Sequence, residues 1–203
     1  LNNSKSTIVD LIRHGEPVGG RKYRGHLDDP LSEKGWQQMW SAVGAFDGWN
    51  AIYSSPLLRC SEFAQALGER LGVDVYVDER LKEGGFGVWE GRLPSEICAE
   101  DPQRLFRFKR DPIEAAPEGA EALSALHDRV GEAWGTMLDR HVGQHVLVVV
   151  HAGVIRMLMA HALGLPLANI YRIEVGNAAL TRLKVERWDD EMLASLVFHD
   201  GKL

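Results

Sequence analysis

Val146-Leu147-Val148-Val149-Val150-His151-Ala152-Gly153 joins five consecutive apolar residues, four of them valine, to a histidine and a glycine. A run with no polar alternation suits a parallel strand covered on both faces. A helical stretch from Val154 to Leu163 follows at once. The same pattern occurs early in the chain, where Thr7 to Ile12 is a β-branched run ending at Arg13-His14-Gly15. Ala51 to Tyr53 is a third strand candidate, and Val73 to Val77 alternates as a fourth. Between these two, Phe63, Leu67 and Leu71 recur at helical spacing. Ser55 reads as that helix's N-cap, Pro56 as its first residue and Gly72 as its stop. Ala179 to Trp188 and Met192 to Phe198 flank Asp189-Asp190 and predict a hairpin. Leu93 to Ala116 contains three prolines, mixed charge and aromatics, which predicts helix plus a long loop, with a lid or insert around 93–120. With no repeats or linker, residues 1–203 read as one α/β domain. Its expected form is a three-layer sandwich, a mostly parallel central sheet flanked by helices.

A chain of 203 residues is long enough to bury a core without staples. Its net charge of −6 disfavours a general nucleic-acid or membrane-surface role, while leaving room for a local basic pocket. Cys60 and Cys98 make neither a metal-type pair nor a disulfide framework and read as reduced thiols. The opening Leu-Asn-Asn-Ser-Lys-Ser has no apolar signal-peptide core, and no run approaches membrane-spanning length. A cytoplasmic protein is the expectation.

His14 and His151 each sit just beyond a strand and shortly before a glycine, Gly15 and Gly153. Ligands of open α/β sheets gather beyond the carboxyl ends of strands, so two such histidines can converge despite their sequence separation. Arg13 adjoins the first, and Arg59 lies at the start of the helix after the second strand. Guanidinium groups bind phosphate oxygens in pairs and keep their charge at neutral pH. A neutral imidazole can attack phosphorus, and a leaving alkoxide then needs a proton. Glu83, in Leu81-Lys82-Glu83-Gly84-Gly85-Phe86-Gly87-Val88-Trp89-Glu90-Gly91, is the first candidate for the acid, ahead of Glu16 and Glu90.

These residues carry a resemblance. Leu11-Ile12-Arg13-His14-Gly15-Glu16 resembles the signature of the histidine phosphatase, or phosphoglycerate mutase-like, superfamily. Four further segments match in the family's order: Asp29 to Gln38, Ser54-Ser55-Pro56-Leu57-Leu58-Arg59-Cys60, the Glu83 stretch, and Val150-His151-Ala152-Gly153. The resemblance implies that His14 is the nucleophile of a phosphohistidine intermediate. It implies that Arg13, Arg59 and His151 hold the phosphoryl group, and that Glu83 is acid and then base. It also implies chemistry without metal or other cofactor, in keeping with the lack of metal-ligand spacing among the histidines.

Two segments depart from the family pattern. The Trp-Asn that follows the histidine in many mutase-like members is replaced by Glu16-Pro17-Val18-Gly19-Gly20, and Pro-Gly-Gly-Glu-Ser by Pro117-Glu118-Gly119-Ala120-Glu121. Arg21, Arg24, Gly25 and His26 are the candidates to supply the missing substrate contact. The first departure and the compact length favour water over a second hydroxyl as acceptor. The expected partner is therefore a small phosphorylated metabolite. Tyr23-Arg24-Gly25-His26 is similar to the alpha-ribazole phosphatases of cobalamin synthesis. A broad-specificity or sugar-phosphate phosphatase carries the same motifs; a phosphoglycerate mutase is disfavoured by the missing Trp-Asn, and a non-catalytic phospholigand-binding module by the presence of Arg13, His14, Arg59 and His151 together. Arg104 to Arg110 reads as a solvated basic helix face rather than a nucleic-acid site. Trp36, Trp40, Trp89 and Trp134 read as core or boundary aromatics. His127, His141, His145, His161 and His199 read as structural or surface residues. An exposed edge at the terminal hairpin permits a homodimer.

Overall fold

The computed structural model describes residues 5–189 and 191–203. Its sheet has six strands: β1 (Lys5–Arg13), β2 (Ala51–Ser54), β3 (Val75–Val77), β4 (His145–Val150), β5 (Leu180–Trp188) and β6 (Glu191–Gly201). Their spatial order is β3-β2-β4-β1-β5-β6. β3, β2, β4 and β1 run parallel, while β5 and β6 add as antiparallel neighbours. The expected α/β architecture with a mostly parallel sheet is present.

The valine run explains the layers. Val146, Val148 and Val150 point to one face, against α5 (Leu123–Arg140) and α6 (Ala152–Leu163). Leu147 and Val149 point to the other, where they join α1 (Glu33–Val43) and α2 (Leu58–Leu71). All five are buried, as a strand covered on both faces requires. On β1, Val9 and Leu11 share the first face and Ile12 the second. Asp10 shares that second side, fully buried, and accepts from Trp49 Nε1 (2.9 Å) and Arg182 Nε (2.7 Å). His145 Nε2 lies 2.8 Å from the same carboxylate. An interior carboxylate needs such partners.

Local expectations shift in three places. α2 begins at Leu58 with Leu57 as N-cap, not with Ser55 and Pro56. Ser55 is still strand-like, its N–H donating to the Val149 carbonyl, and the helix's free Leu58 N–H is taken by Asp28 Oδ1 at 2.7 Å. β3 starts at Val75, because the Val73 N–H is used to close α2 onto the Gly68 carbonyl. β6 extends past Phe198 to Gly201 and forms the sheet edge, exposing Leu193 and Val197. Of the predicted hairpin turn, Asp189 has φ +50°, and Asp190 lies outside the described residues. So do the first four residues of the N-terminal stretch.

Between β3 and α5 lie α3 (Pro94–Glu100) and α4 (Arg104–Arg110). They are seated on a separate apolar cluster of Trp89, Ile97 and Phe108. In α4 Lys109 and Arg110 are exposed and Phe108 is buried, but the basic face is not wholly solvated: Arg104 stacks over the Trp89 ring at 4.7 Å and donates to Ala115 O. Phe106 is exposed. No helix among the described residues is long and apolar enough to cross a membrane.

Candidate active site

β1 and β4 are adjacent and parallel, so the residues after them emerge side by side. Arg13 pairs with Val150 in register, and the His14 N–H donates to the Val150 carbonyl at 2.9 Å. The His14 and His151 rings meet edge to face with centroids 5.2 Å apart. Gly15 is required here by close approach: a Cβ would lie 2.3 Å from the Gly35 carbonyl oxygen of α1. That contact ties the histidine loop to the Asp29–Gln38 segment. Ser32 helps by capping α1 and donating to the Glu16 carbonyl.

His14 Nδ1 lies 2.8 Å from the Gly15 carbonyl oxygen. A carbonyl can only accept, so Nδ1 carries the proton and the lone pair rests on Nε2. Burial, and then the charges of Arg13 and Arg59, hold the His14 pKa well below its ordinary value. His151 is fully buried behind it and is lowered for the same reasons, burial first, then Arg59, His14 and Arg13. Both rings are therefore neutral at neutral pH. The His151 Nε2 shares a 2.7 Å hydrogen bond with Ser55 Oγ, and Cys60 Sγ packs 3.7 Å away.

Two arginines complete the floor. Arg59, 1% exposed, donates through Nη1 to Leu27 O (2.6 Å) and through Nη2 to Gly25 O (2.9 Å). Arg13 donates to Val175 O at 2.7 Å. Among the described residues the buried Nε of each guanidinium has no acceptor. Burial lowers the Arg13 pKa to about 10, against the opposing pull of Glu83 and with the nearby charges of Arg156, Arg21 and Arg59 adding to the drop. A cationic site short of acceptors matches an oxyanion ligand.

Glu83 stands opposite, 8% exposed. Gly84 N–H donates to its Oε1 (3.0 Å) and Gly153 N–H to its Oε2 (3.2 Å). The loop that carries it is fastened by Arg129, which donates to the carbonyls of Arg80, Lys82 and Glu83 and pairs with Glu121. Glu121 also accepts from the Gly85 N–H, so the altered Pro117–Glu121 segment serves this loop.

These groups line an open pocket of about 560 Å³. Its lining holds seven lysines and arginines against three glutamates, a local positive field on a chain of net charge −6. Arg13, His14, Arg59 and Glu83 come together there; His151 supports from behind. Arg21 and Arg24 also line it, but Arg24 is occupied with Asp29, Val18 O and Gly20 O. Gly25 contributes its carbonyl to Arg59. His26 is exposed, outside the lining, with Nε2 2.9 Å from Glu83 O. Of the alternative acids, Glu90 lies outside the lining and accepts from the Phe86 N–H, while Glu16 lines the pocket and pairs with Lys34. Sequence reading missed Arg129, Ser55 as a partner of His151, and Arg156 with Tyr171 on the pocket wall. For Arg156 the signal was its position, one helical turn after the residue following His151. Among the described residues no group of three His, Cys, Asp or Glu side chains is disposed to hold a metal ion.

A strand-end site with two neutral histidines and two guanidiniums whose Nε atoms are buried defines an oxyanion-handling α/β protein. A family profile described as "Histidine phosphatase superfamily (branch 1)" matches residues 9–195, and the chain belongs to that family. The chain is similar to Bifunctional protein Rv2228c of Mycobacterium tuberculosis, 34% identical over 86% of this chain and 49% of that protein. It thus spans about half the length of that relative. The solved mycobacterial glucosyl-3-phosphoglycerate phosphatase Rv2419c with VO3 superposes with TM-score 0.85 at 32% identity, covering 94% of this chain and 97% of that one. The alpha-ribazole phosphatase from Shigella flexneri superposes with TM-score 0.77 at 26% identity, covering 96% of each.

Proposed function

We propose that the protein is a metal-independent phosphatase that hydrolyses a small phosphomonoester through a phosphohistidine on His14. The observation that carries this is a neutral His14 whose Nδ1 proton is fixed to Gly15 O, beside two guanidiniums whose buried Nε atoms lack an acceptor among the described residues. In the first step the Nε2 lone pair forms the N–P bond as the P–O bond to the leaving alcohol breaks. Arg13 and Arg59 stabilise the equatorial oxygens, and Glu83 delivers the proton to the leaving oxygen. In the second step Glu83, now a carboxylate, takes a proton from water as that water displaces Nε2 and releases phosphate. His151, held by Ser55, packs edge to face on the His14 ring and steadies the nucleophile from behind. The segment 93–120 acts as a lid within one domain spanning 1–203. The open β6 edge is where a second copy would pair, and a cytoplasmic location fits the reduced thiols of Cys60 and Cys98.

Water is the acceptor in this reading, because Gly19 and Gly20 stand where a mutase presents its Trp-Asn contact. Alpha-ribazole 5'-phosphate is one substrate in keeping with the Shigella relative; a sugar phosphate is in keeping with the mycobacterial one. The test is hydrolysis of para-nitrophenyl phosphate with a chelator present. Turnover by the parent chain and background rates for His14→Ala are expected. Loss of activity in chelator, or full activity in His14→Ala, overturns the proposal. A panel with alpha-ribazole phosphate, phosphoglycerates and sugar phosphates then ranks the substrates.

A further inference from the structure

Behind Glu83 lies a second chamber of about 320 Å³, under α4 and the start of α5. It shares Glu83, Phe86, Gly153 and Tyr171 with the phosphate-binding pocket. Its remaining walls include Phe108, Ile113, Leu123, Leu126, Met157 and Ile170, with no lysine or arginine. The second carboxylate on the lining, Glu121, is already committed to Arg129 and the Gly85 N–H. The chamber opens to solvent past Ile113, Ala116 and Ser124, all exposed. An apolar chamber this large, entered beside the proton donor, is a place for a ligand group.

We infer that this chamber receives an apolar, ring-sized part of the alcohol that leaves from phosphorus. The inference rests on the phosphatase reading and adds the class of leaving group. The leaving oxygen must lie within reach of Glu83, and Glu83 is part of both linings. Carbon atoms attached to that oxygen therefore start at the junction. One exit is the cationic mouth with Arg21 and Lys109; the other is the apolar chamber. Phosphate stays with Arg13 and Arg59, and the chamber, without cations, selects against a second anionic group entering it.

Three phosphates of primary alcohols with similar leaving-group acidity separate these exits: n-propyl, 3-phenylpropyl and 3-carboxypropyl phosphate. We expect kcat/KM for the phenylpropyl ester to exceed that for the propyl ester by about 30-fold, the scale of a small apolar group in a fitted pocket. Ala116→Trp, at the exposed rim of the chamber, should bring that ratio down to about 3 or less. Ser124→Phe, on the exposed side of α5's first turn, gives the same test should the tryptophan variant fail to fold. Equal kcat/KM for propyl and phenylpropyl esters, or preference for the carboxypropyl ester alone, overturns the chamber's role while leaving the phosphatase reading intact. Absence of turnover for all three, with para-nitrophenyl phosphate also untouched, overturns the phosphatase reading and the chamber's role together.

Discussion

Glu83 and Gly153 are in direct contact: the Gly153 N–H donates to Glu83 Oε2 at 3.2 Å, and a Cβ on Gly153 would come within 2.2 Å of Oε1. Gly153 lies two residues after His151 at the start of α6. The turn that delivers the second histidine therefore also sets the position of the carboxylate. The glycine is demanded by space rather than by an unusual backbone angle.

Gly153→Ala should push the Glu83 side chain away without touching His14. Alkyl phosphates, which need a proton on the leaving oxygen, should lose about 10- to 100-fold in kcat, and para-nitrophenyl phosphate less than about 5-fold. Steady-state kinetics on both substrates checks this. Equal losses would move the proton donor away from Glu83.

Arg129 should matter although it lies outside the pocket lining. Arg129→Met removes the donor that satisfies three carbonyls and leaves Glu121 unpaired, so a destabilisation of about 2 kcal/mol is expected. Urea denaturation measures it. The same variant should lower kcat for alkyl phosphates more than for aryl phosphates, since the loop carrying Glu83 is loosened. A stability loss with unchanged kinetics for both would separate Arg129 from the positioning of Glu83.

Acid should destabilise the fold through the two histidines. Burial, then the neighbouring arginines, keeps their folded pKa values well below the ordinary 6.5. The unfolded chain binds protons near pH 6.5 that the folded chain refuses. Stability is thus fully present above that pH and falls below it, by up to about 1.4 kcal/mol per pH unit for each histidine. Melting temperature between pH 7.5 and 5 follows this, and His151→Gln should flatten part of the slope. Identical slopes in parent and variant would show that His151 is protonated in the folded state.

The readable part of the fold was the part set by burial on both faces. β1, β2 and β4 declare themselves because their short runs are mainly apolar and buried on both faces, Asp10 of β1 being a charged exception, and both histidines follow directly after β1 and β4. α1 and α5 did not stand out, although Met39 and Val43 in the first and Leu126, Val130 and Met137 in the second recur at helical spacing. Mixed polar composition hides such amphipathic helices. The start of α2 was displaced because its first N–H, that of Leu58, is served by Asp28, thirty residues away. Arg13, His14, Arg59, His151 and Glu83 were legible as a set. Arg129, Ser55 and the apolar chamber were not, because each acts through contacts between distant segments.

Rapid-quench trapping with labelled phosphomonoester decides whether His14, as proposed, forms the bond to phosphorus. An acid-labile, base-stable phosphoenzyme is expected, with label that maps to His14 and disappears in His14→Ala. Label on His151, a serine or an aspartate, or turnover retained by His14→Ala, would contradict it.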